Sequence, residues 1–280
     1  MTSVRGLWGA SHPGPTLVVT VLAIALGVAA GLDPWRIVLL GLAVLAGQVS
    51  VGISNDAIDA ERDRAVGRSD KPLARGDVSV RAAWIAAISA LVVALALSAV
   101  LGLGMLAAHA IALASAWAYN AGLKATPFSL LPFLVSFGLF PSFATLSASD
   151  PHLAPLWATI AGAALGAAVH LTNVLPDLDD DRRTGIRGLP HRLGPRVSAI
   201  LAAVAVVGGA IAVLLGPVAG DLAAVAPVSW VFFVAAVVAA VLAAVLVLSG
   251  SSGRVVFRLV MLAALLLAAE LVATGGALTP

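Results

Sequence analysis

Residues 55–63 read NDAIDAERD and residues 173–181 read NVLPDLDDD. Each stretch sets one Asn and two Asp residues four positions apart: Asn55, Asp59 and Asp63, then Asn173, Asp177 and Asp181. On a helix that spacing stacks three side-chain oxygens on one face. Carboxylates are hard oxygen donors that suit Mg2+, which takes one or two of them and fills its shell with water and phosphate oxygens. Cations follow each ladder: Arg68, Lys71 and Arg75 after the first, Arg182, Arg183, Arg187 and Arg192 after the second, with Lys124 alone between them. Arg offers a fork that matches phosphate oxygens, and Lys a point charge. Acids for a metal and bases for phosphate together describe a site for a metal-bound diphosphate. Such a site would stabilise negative charge growing on a leaving group.

The two stretches are copies of one device. Laying residues 173–194 on residues 55–76 matches Arg182 with Arg64, Gly185 with Gly67, Pro190 with Pro72 and Gly194 with Gly76. The second copy opens Asn-Val where the first opens Asn-Asp, so Asp56 has no counterpart.

The elements that must carry these ladders are membrane helices. Of the 280 residues 61% are hydrophobic and 11% are charged, with a mean hydropathy of +1.06; ordinary soluble domains carry about 25% charge. The chain has no cysteine, which excludes a disulfide framework and a thiolate metal site. Its sequence pI is about 9.7 but its net charge is only +2, and the bases lie beside apolar runs. Lipid headgroups or an anionic substrate therefore explain them better than nucleic acid. The first apolar run begins near Pro15 without a following cleavage site, so it is expected to be retained. A crossing needs about 20 apolar residues, which predicts spans near 15–31, 35–54, 82–102, 104–122, 128–147, 153–175, 196–216, 226–248 and 255–275.

With the N-terminus cytoplasmic, every Lys and Arg except Arg36 then falls on the cytoplasmic side. The expected fold is all-α integral membrane, residues 1–280 forming a single membrane domain of nine transmembrane helices. Two parallel four-helix repeats (about 15–122 and 128–248) are followed by a ninth helix (about 255–275). Both ladders then open on the same side.

The remaining polar residues have plainer readings. Glu61, Asp179 and Asp180 find no match across the repeat and read as solvated or as balancing nearby arginines. Arg62, Arg81, Arg196, Arg254 and Arg258 read as topology and headgroup anchors, and SHPGPT (11–16) as a helix start. His109 reads as a hydrogen-bonded helix contact, Glu270 as a group near an external helix end, and His170, one turn before Asn173, as a neighbour of the cavity. Tyr119 reads either as an interfacial anchor or, with Lys124, as a phosphate contact.

NDAIDAERD with GRSDKPLARG, DLDDDRRTGIRGLPHRLG, and the Tyr119–Lys124 segment together resemble the signatures of the UbiA superfamily of intramembrane prenyltransferases. The resemblance implies an isoprenyl diphosphate held through Mg2+ between two Asp-rich motifs, with its tail in an apolar channel. On these positions Asn55, Asp56, Asp59, Asp63, Asp177 and Asp181 would hold metal, and Asn173 would join by its place in the ladder. Arg68, Lys71, Lys124, Arg187 and Tyr119 would steady the diphosphate, with Arg75 and Arg192 among the surrounding cations. Asp59, Asp177, Lys124 and Tyr119 would carry catalysis. The implied reaction is transfer of the isoprenyl group to an aromatic or lipophilic acceptor in the plasma (cell) membrane of a prokaryote, amid membrane lipid. Phe128, Phe133, Phe137, Phe140 and Phe143 leave room for a membrane terpene cyclase, and a non-catalytic polyprenyl-phosphate carrier is the reading from another class.

Overall fold

The structure is a computed structural model that describes residues 4–178, 181, 185–250, 254–274 and 278, and of Asp177 the backbone only. Asp179, Asp180, Arg182 and Arg183 lie outside the described residues. Helices dominate: α1 (Val4–Ala10), α2 (Pro13–Ala29), α3 (Pro34–Ala65), α4 (Pro72–Arg75), α5 (Val80–Leu101), α6 (Leu103–Ala121), α7 (Leu131–Thr145), α8 (Leu156–Asn173), α9 (Leu189–Leu193), α10 (Pro195–Leu215), α11 (Pro227–Leu248) and α12 (Arg254–Thr274). Among the described residues there is no strand. Proline opens α2, α3, α4, α10 and α11, where its missing N–H has no intrahelical partner to lose.

The long helices form a closed circuit. Each packs on the next in the chain, and α12 returns to pack on α2. The interior is filled largely with small and aliphatic side chains, among them Val19, Leu40, Met105, Ala168, Val206 and Leu267. Many apolar side chains face outward along α5 and α11, including Val92, Val93, Val231 and Val238, as lipid-facing surfaces require. The protein is an integral membrane protein.

Five helices are long and apolar enough to cross a membrane: α3, α5, α10 with its following turn, α11 and α12. A sixth is added if α1 and α2, bent by 71°, count as one span. The spans expected near 104–122, 128–147 and 153–175 coincide with α6, α7 and α8, which fall short of that measure. α7 is apolar but has only 15 residues, while α6 and α8 carry polar residues, of which His109, Asn120 and His170 are buried inside the bundle.

The bend between α1 and α2 positions a residue of the site. His12, at the corner, takes a left-handed conformation (φ 54°), and the preceding Ser11 backbone lies directly against Gly52 of α3. A Cβ at Gly52 would stand 2.5 Å from the Ser11 carbonyl oxygen, a distance that backbone cannot yield without moving. Gly52→Ala is therefore expected to cost about 1–3 kcal/mol, read as a lowered thermal unfolding midpoint in detergent. Gly14→Ala, where a Cβ meets nothing within 4 Å, should leave the midpoint unchanged or slightly raised.

Candidate active site

α3 runs without a break to Ala65, so the first ladder sits on continuous helix. Asp56, Asp59 and Asp63 are only 1%, 6% and 4% exposed. Carboxylates buried this deeply need cations, and other elements bring them. Lys124, on the turn Leu123–Ala125 between α6 and α7, donates to both Asp59 oxygens at 2.7 and 2.6 Å and to Asn55 Oδ1 at 3.2 Å. Arg62, one turn along α3, reaches Asp59 at 2.9 Å and Asp63 at 3.9 Å. Lys71, just before α4, donates to Asp56 Oδ1 at 2.5 Å, and His12 Nε2 lies 2.8 Å from the same oxygen. Asp56 Oδ2 is buried without a partner among the described residues.

The neighbouring helices fix where Lys124 stands. Asn120 of α6 donates to the Val51 carbonyl at 2.9 Å and to Ser54 Oγ at 3.1 Å, and Trp117 donates to Ser50 Oγ at 3.2 Å. These bonds hold the end of α6 on α3 close to the ladder. Burial pulls the Lys124 ammonium below the usual lysine range, with Asp59 and, more weakly, Asp181 opposing that pull.

The second half differs locally. The Asn173–Asp177–Asp181 spacing predicts a ladder on one helix, but α8 ends at Asn173 and a 3-10 turn over Leu175–Asp177 follows. Pro176 explains the break, since it has no N–H for the helix ladder and its ring crowds the carbonyl four residues back. Beyond the break two backbone features of the first loop recur in the second. Arg68 N–H donates to the Asp63 carbonyl at 2.9 Å, and Ile186 N–H to the Asp181 carbonyl at 2.9 Å. Gly67 (φ 70°) and Gly185 (φ 83°) supply the left-handed residue each turn needs. The Asp181 carboxylate meets His191 Nε2 at 3.2 Å.

The two halves meet at the turn that carries Lys124. Ser129 Oγ accepts from the Leu189 N–H at 2.8 Å and lies 3.0 Å from His170 Nε2. Gly188 sits so close to the Lys124 carbonyl that any side chain there would collide with it. Tyr119 stands at the same level, its ring edge-on to Phe133 at 5.1 Å and to His170 at 5.7 Å.

Other expected phosphate ligands face nearby acids. Arg68 donates to both oxygens of Asp70 at 2.9 Å, which holds that carboxyl well below the usual carboxylate range, and Arg254 reaches Asp70 at 3.4 Å. Arg75 pairs with Asp77 at 2.6 Å. Arg187 is exposed, and its carbonyl accepts from Arg192 Nε at 3.1 Å. Asn173, at the end of α8, is exposed. Among the described residues no three carboxylate or imidazole groups are gathered closely enough to enclose a metal ion.

The model of the UbiA prenyltransferase family matches residues 16–266. The chain belongs to this family. Among curated UbiA-type relatives, the digeranylgeranylglyceryl phosphate synthase of Natronomonas pharaonis is 31% identical over 224 residues, covering 78% of each chain. The bacteriochlorophyll synthase 33 kDa chain of Cereibacter sphaeroides is 31% identical over 186 residues, covering 61% of this chain. The match spans 59% of that relative's length. The UbiA fold is shared with the apo structure of a homolog from Aeropyrum pernix K1, with a TM-score of 0.76 at 19% identity over 93% of this chain and 98% of that one. A homolog from Archaeoglobus fulgidus, solved bound to GPP and Mg2+, gives a TM-score of 0.73 at 19% identity, covering 96% and 98%.

Two partners of the buried carboxylates escaped the sequence reading. Arg62, read as an anchor, pairs with Asp59; its place three residues on along the same helix was the available signal. His12, read as part of a helix start, reaches Asp56 through the α1–α2 bend, which no sequence periodicity announced. The Asp56–Lys71 pair offers a direct test of the electrostatics. Lys71→Met should destabilise the protein by about 3 kcal/mol, because a buried carboxylate loses its main cation. The Asp56→Asn, Lys71→Met double variant should recover much of that loss, measured as unfolding midpoints in a double-mutant cycle.

Proposed function

We propose that this protein transfers an isoprenyl group from an isoprenyl diphosphate to an aromatic or otherwise lipophilic acceptor within the membrane, with Mg2+ as cofactor. The observation that carries the reading is the Lys124 turn, whose side chain sits on Asp59 of the first motif while its backbone lies against Gly188 of the second loop. One short segment thus touches both the first acid-bearing helix and the second motif's loop. The relatives' names agree with the reaction class, and the Archaeoglobus homolog's GPP and Mg2+ agree with the donor.

The donor set fits a hard cation in kind: oxygens of Asn55, Asp59 and Asp63 on one helix face, with the buried Asp56 Oδ2 left over. Asp177, Asp181 and Asn173 would complete the set from the second half. Bound there, Mg2+ would offset the negative charge of the diphosphate. Lys124, Lys71, Tyr119, Arg68 and Arg187 would bind and orient the diphosphate oxygens, with Arg75 and Arg192 adding positive potential at the rim. The allylic C–O bond then breaks heterolytically and the diphosphate leaves with the electron pair. The apolar interior of the bundle would keep water from the cation until the acceptor captures it.

In this reading the chain crosses the plasma membrane nine times, with its N-terminus and both motifs cytoplasmic, as two parallel four-helix repeats and a ninth helix. A second reading, a terpene cyclase, draws on the aromatic row along α7. Phe133 and Phe137 stack at 6.2 Å, Phe137 and Phe140 lie 6.2 Å apart, and Phe140 meets Phe143 at 5.4 Å. Such faces could steer a cation along its own chain.

Reconstituted in nanodiscs with Mg2+ and geranylgeranyl diphosphate, and offered candidate aromatic and lipid-alcohol acceptors, the protein should release pyrophosphate and form a prenylated product. Asp59→Asn should lower the rate on the order of 100-fold or more, and EDTA should abolish it. Cyclic hydrocarbon formed without acceptor would favour the cyclase. Diphosphate bound but never cleaved would leave a carrier.

A further inference from the structure

α1 stands across the end of α2 and has two unlike faces. Its inward face is pressed against the loop that carries Lys71. Gly6 and Ala10 are buried; a Cβ at Gly6 would stand 2.5 Å from a Val78 methyl, and one at Gly9 would stand 3.0 Å from the Pro72 ring. Pro72 directly follows Lys71, whose ammonium sits on Asp56. The outward face carries Val4, Arg5 and Trp8, positions i, i+1 and i+4 of one helix face. Val4 is 82% exposed and Trp8 43%, and Arg5 is exposed beside them. Arg62, Arg68 and Arg75 each meet a carboxylate, whereas Arg5 meets none among the described residues. Asp77, which borders Gly6, is held by Arg75 at 2.6 Å.

The bend decides what can cover this face. α2 turns Leu17, Val21, Ile24 and Val28 outward in a stripe at helical spacing, as a lipid-facing helix does. α1 meets α2 at 71°, so with α2 along the bilayer normal α1 lies about 20° off the membrane plane. A helix in that attitude, at the end of a lipid-facing helix, occupies the headgroup layer. Tryptophan and arginine are side chains which that layer selects: the indole sits at the boundary between tails and water, and the guanidinium fork fits phosphate oxygens. A free phosphate ion would account for Arg5 but not for Val4 and Trp8, which water would leave hydrated.

We propose that α1 lies in the headgroup layer beside the first carboxylate ladder and that Arg5 binds the phosphate of an anionic lipid there. The proposal depends on the chain being an integral membrane protein, not on the transfer reaction. One short helix then touches lipid with one face and the Lys71 loop with the other. Ser11, just past its end, lies against Gly52, and His12, the next residue, reaches Asp56. Anionic lipid at Arg5 therefore steadies the corner that supplies Asp56 with both of its contacts, Lys71 and His12.

The chain has no cysteine, so a single nitroxide reports position directly. Val4→Cys and Glu61→Cys, both at exposed positions, are spin-labelled in phosphatidylcholine nanodiscs to which phosphatidylglycerol is added stepwise. The ratio of collisions with O2, which concentrates in the bilayer, to collisions with a water-soluble Ni2+ chelate should be several-fold higher at residue 4 than at residue 61. Phosphatidylglycerol should raise the ratio at residue 4 further. Arg5→Gln should increase the phosphatidylglycerol fraction needed for half of that rise about fivefold, the factor expected for one arginine at an anionic surface. Arg196→Gln, an exposed base at the start of α10, should leave that fraction unchanged. A label at residue 4 as open to the chelate as the one at residue 61 would place α1 in water. A label shielded from both reagents would place it under protein, whether a second copy or a partner. Either result would overturn the proposal, as would a phosphatidylglycerol response that Arg5→Gln leaves unaltered or that Arg196→Gln shifts equally.

Discussion

An ionised carboxylate inside an apolar bundle costs several kcal/mol unless a cation meets it at hydrogen-bond distance. α3 carries three such groups, Asp56, Asp59 and Asp63, each nearly sealed from solvent. The cations that meet them come from separate parts of the chain: Lys71 from the loop after α3, Lys124 from the turn between α6 and α7, and Arg62 from α3 itself. His12 adds a fourth contact from the α1–α2 corner. Satisfying the acids therefore fixes where α1, α2, α6 and α7 stand relative to α3. The same contacts that allow the bundle to bury its charges also bring together the groups proposed to bind a diphosphate.

The two motif-bearing segments are alike in their loops and unlike in their helices. After each, a left-handed glycine and a backbone hydrogen bond to the Asp carbonyl turn the chain in the same way. Before the turn, α3 stays helical while α8 stops three residues short of Pro176, and Val174 replaces the buried acid of the first copy. The first copy thus forms a ladder on continuous helix, met by Lys71, Lys124 and Arg62. After the second, Leu189 and Gly188 pack against Ser129 and the Lys124 turn.

Much of this was legible in the sequence because long apolar runs and fixed polar spacings are local properties. Helices lie at the expected apolar runs, although α3 continues to Ala65 and only five or six are long and apolar enough to cross a membrane, and the membrane class follows from composition. The less legible features depend on three-dimensional neighbours. Pro176 was visible, but the repeat made its segment look like the first ladder, and proline chemistry prevailed over the analogy. Arg68 and Arg75 look like free phosphate ligands until Asp70 and Asp77, each two residues on, take their guanidinium groups. His12 reaches Asp56 across 44 residues of chain, a contact that no local pattern encodes.

The central claim is that both motifs, one from each half, converge on a single metal-bound diphosphate. Electron paramagnetic resonance of Mn2+ tests it directly, with the protein in nanodiscs and geranylgeranyl thiolodiphosphate as an unreactive donor. The account predicts tightly bound Mn2+ that requires the analogue and is lost in both Asp59→Asn and Asp181→Asn. Mn2+ binding that survives either substitution unchanged, or that ignores the analogue, would contradict it.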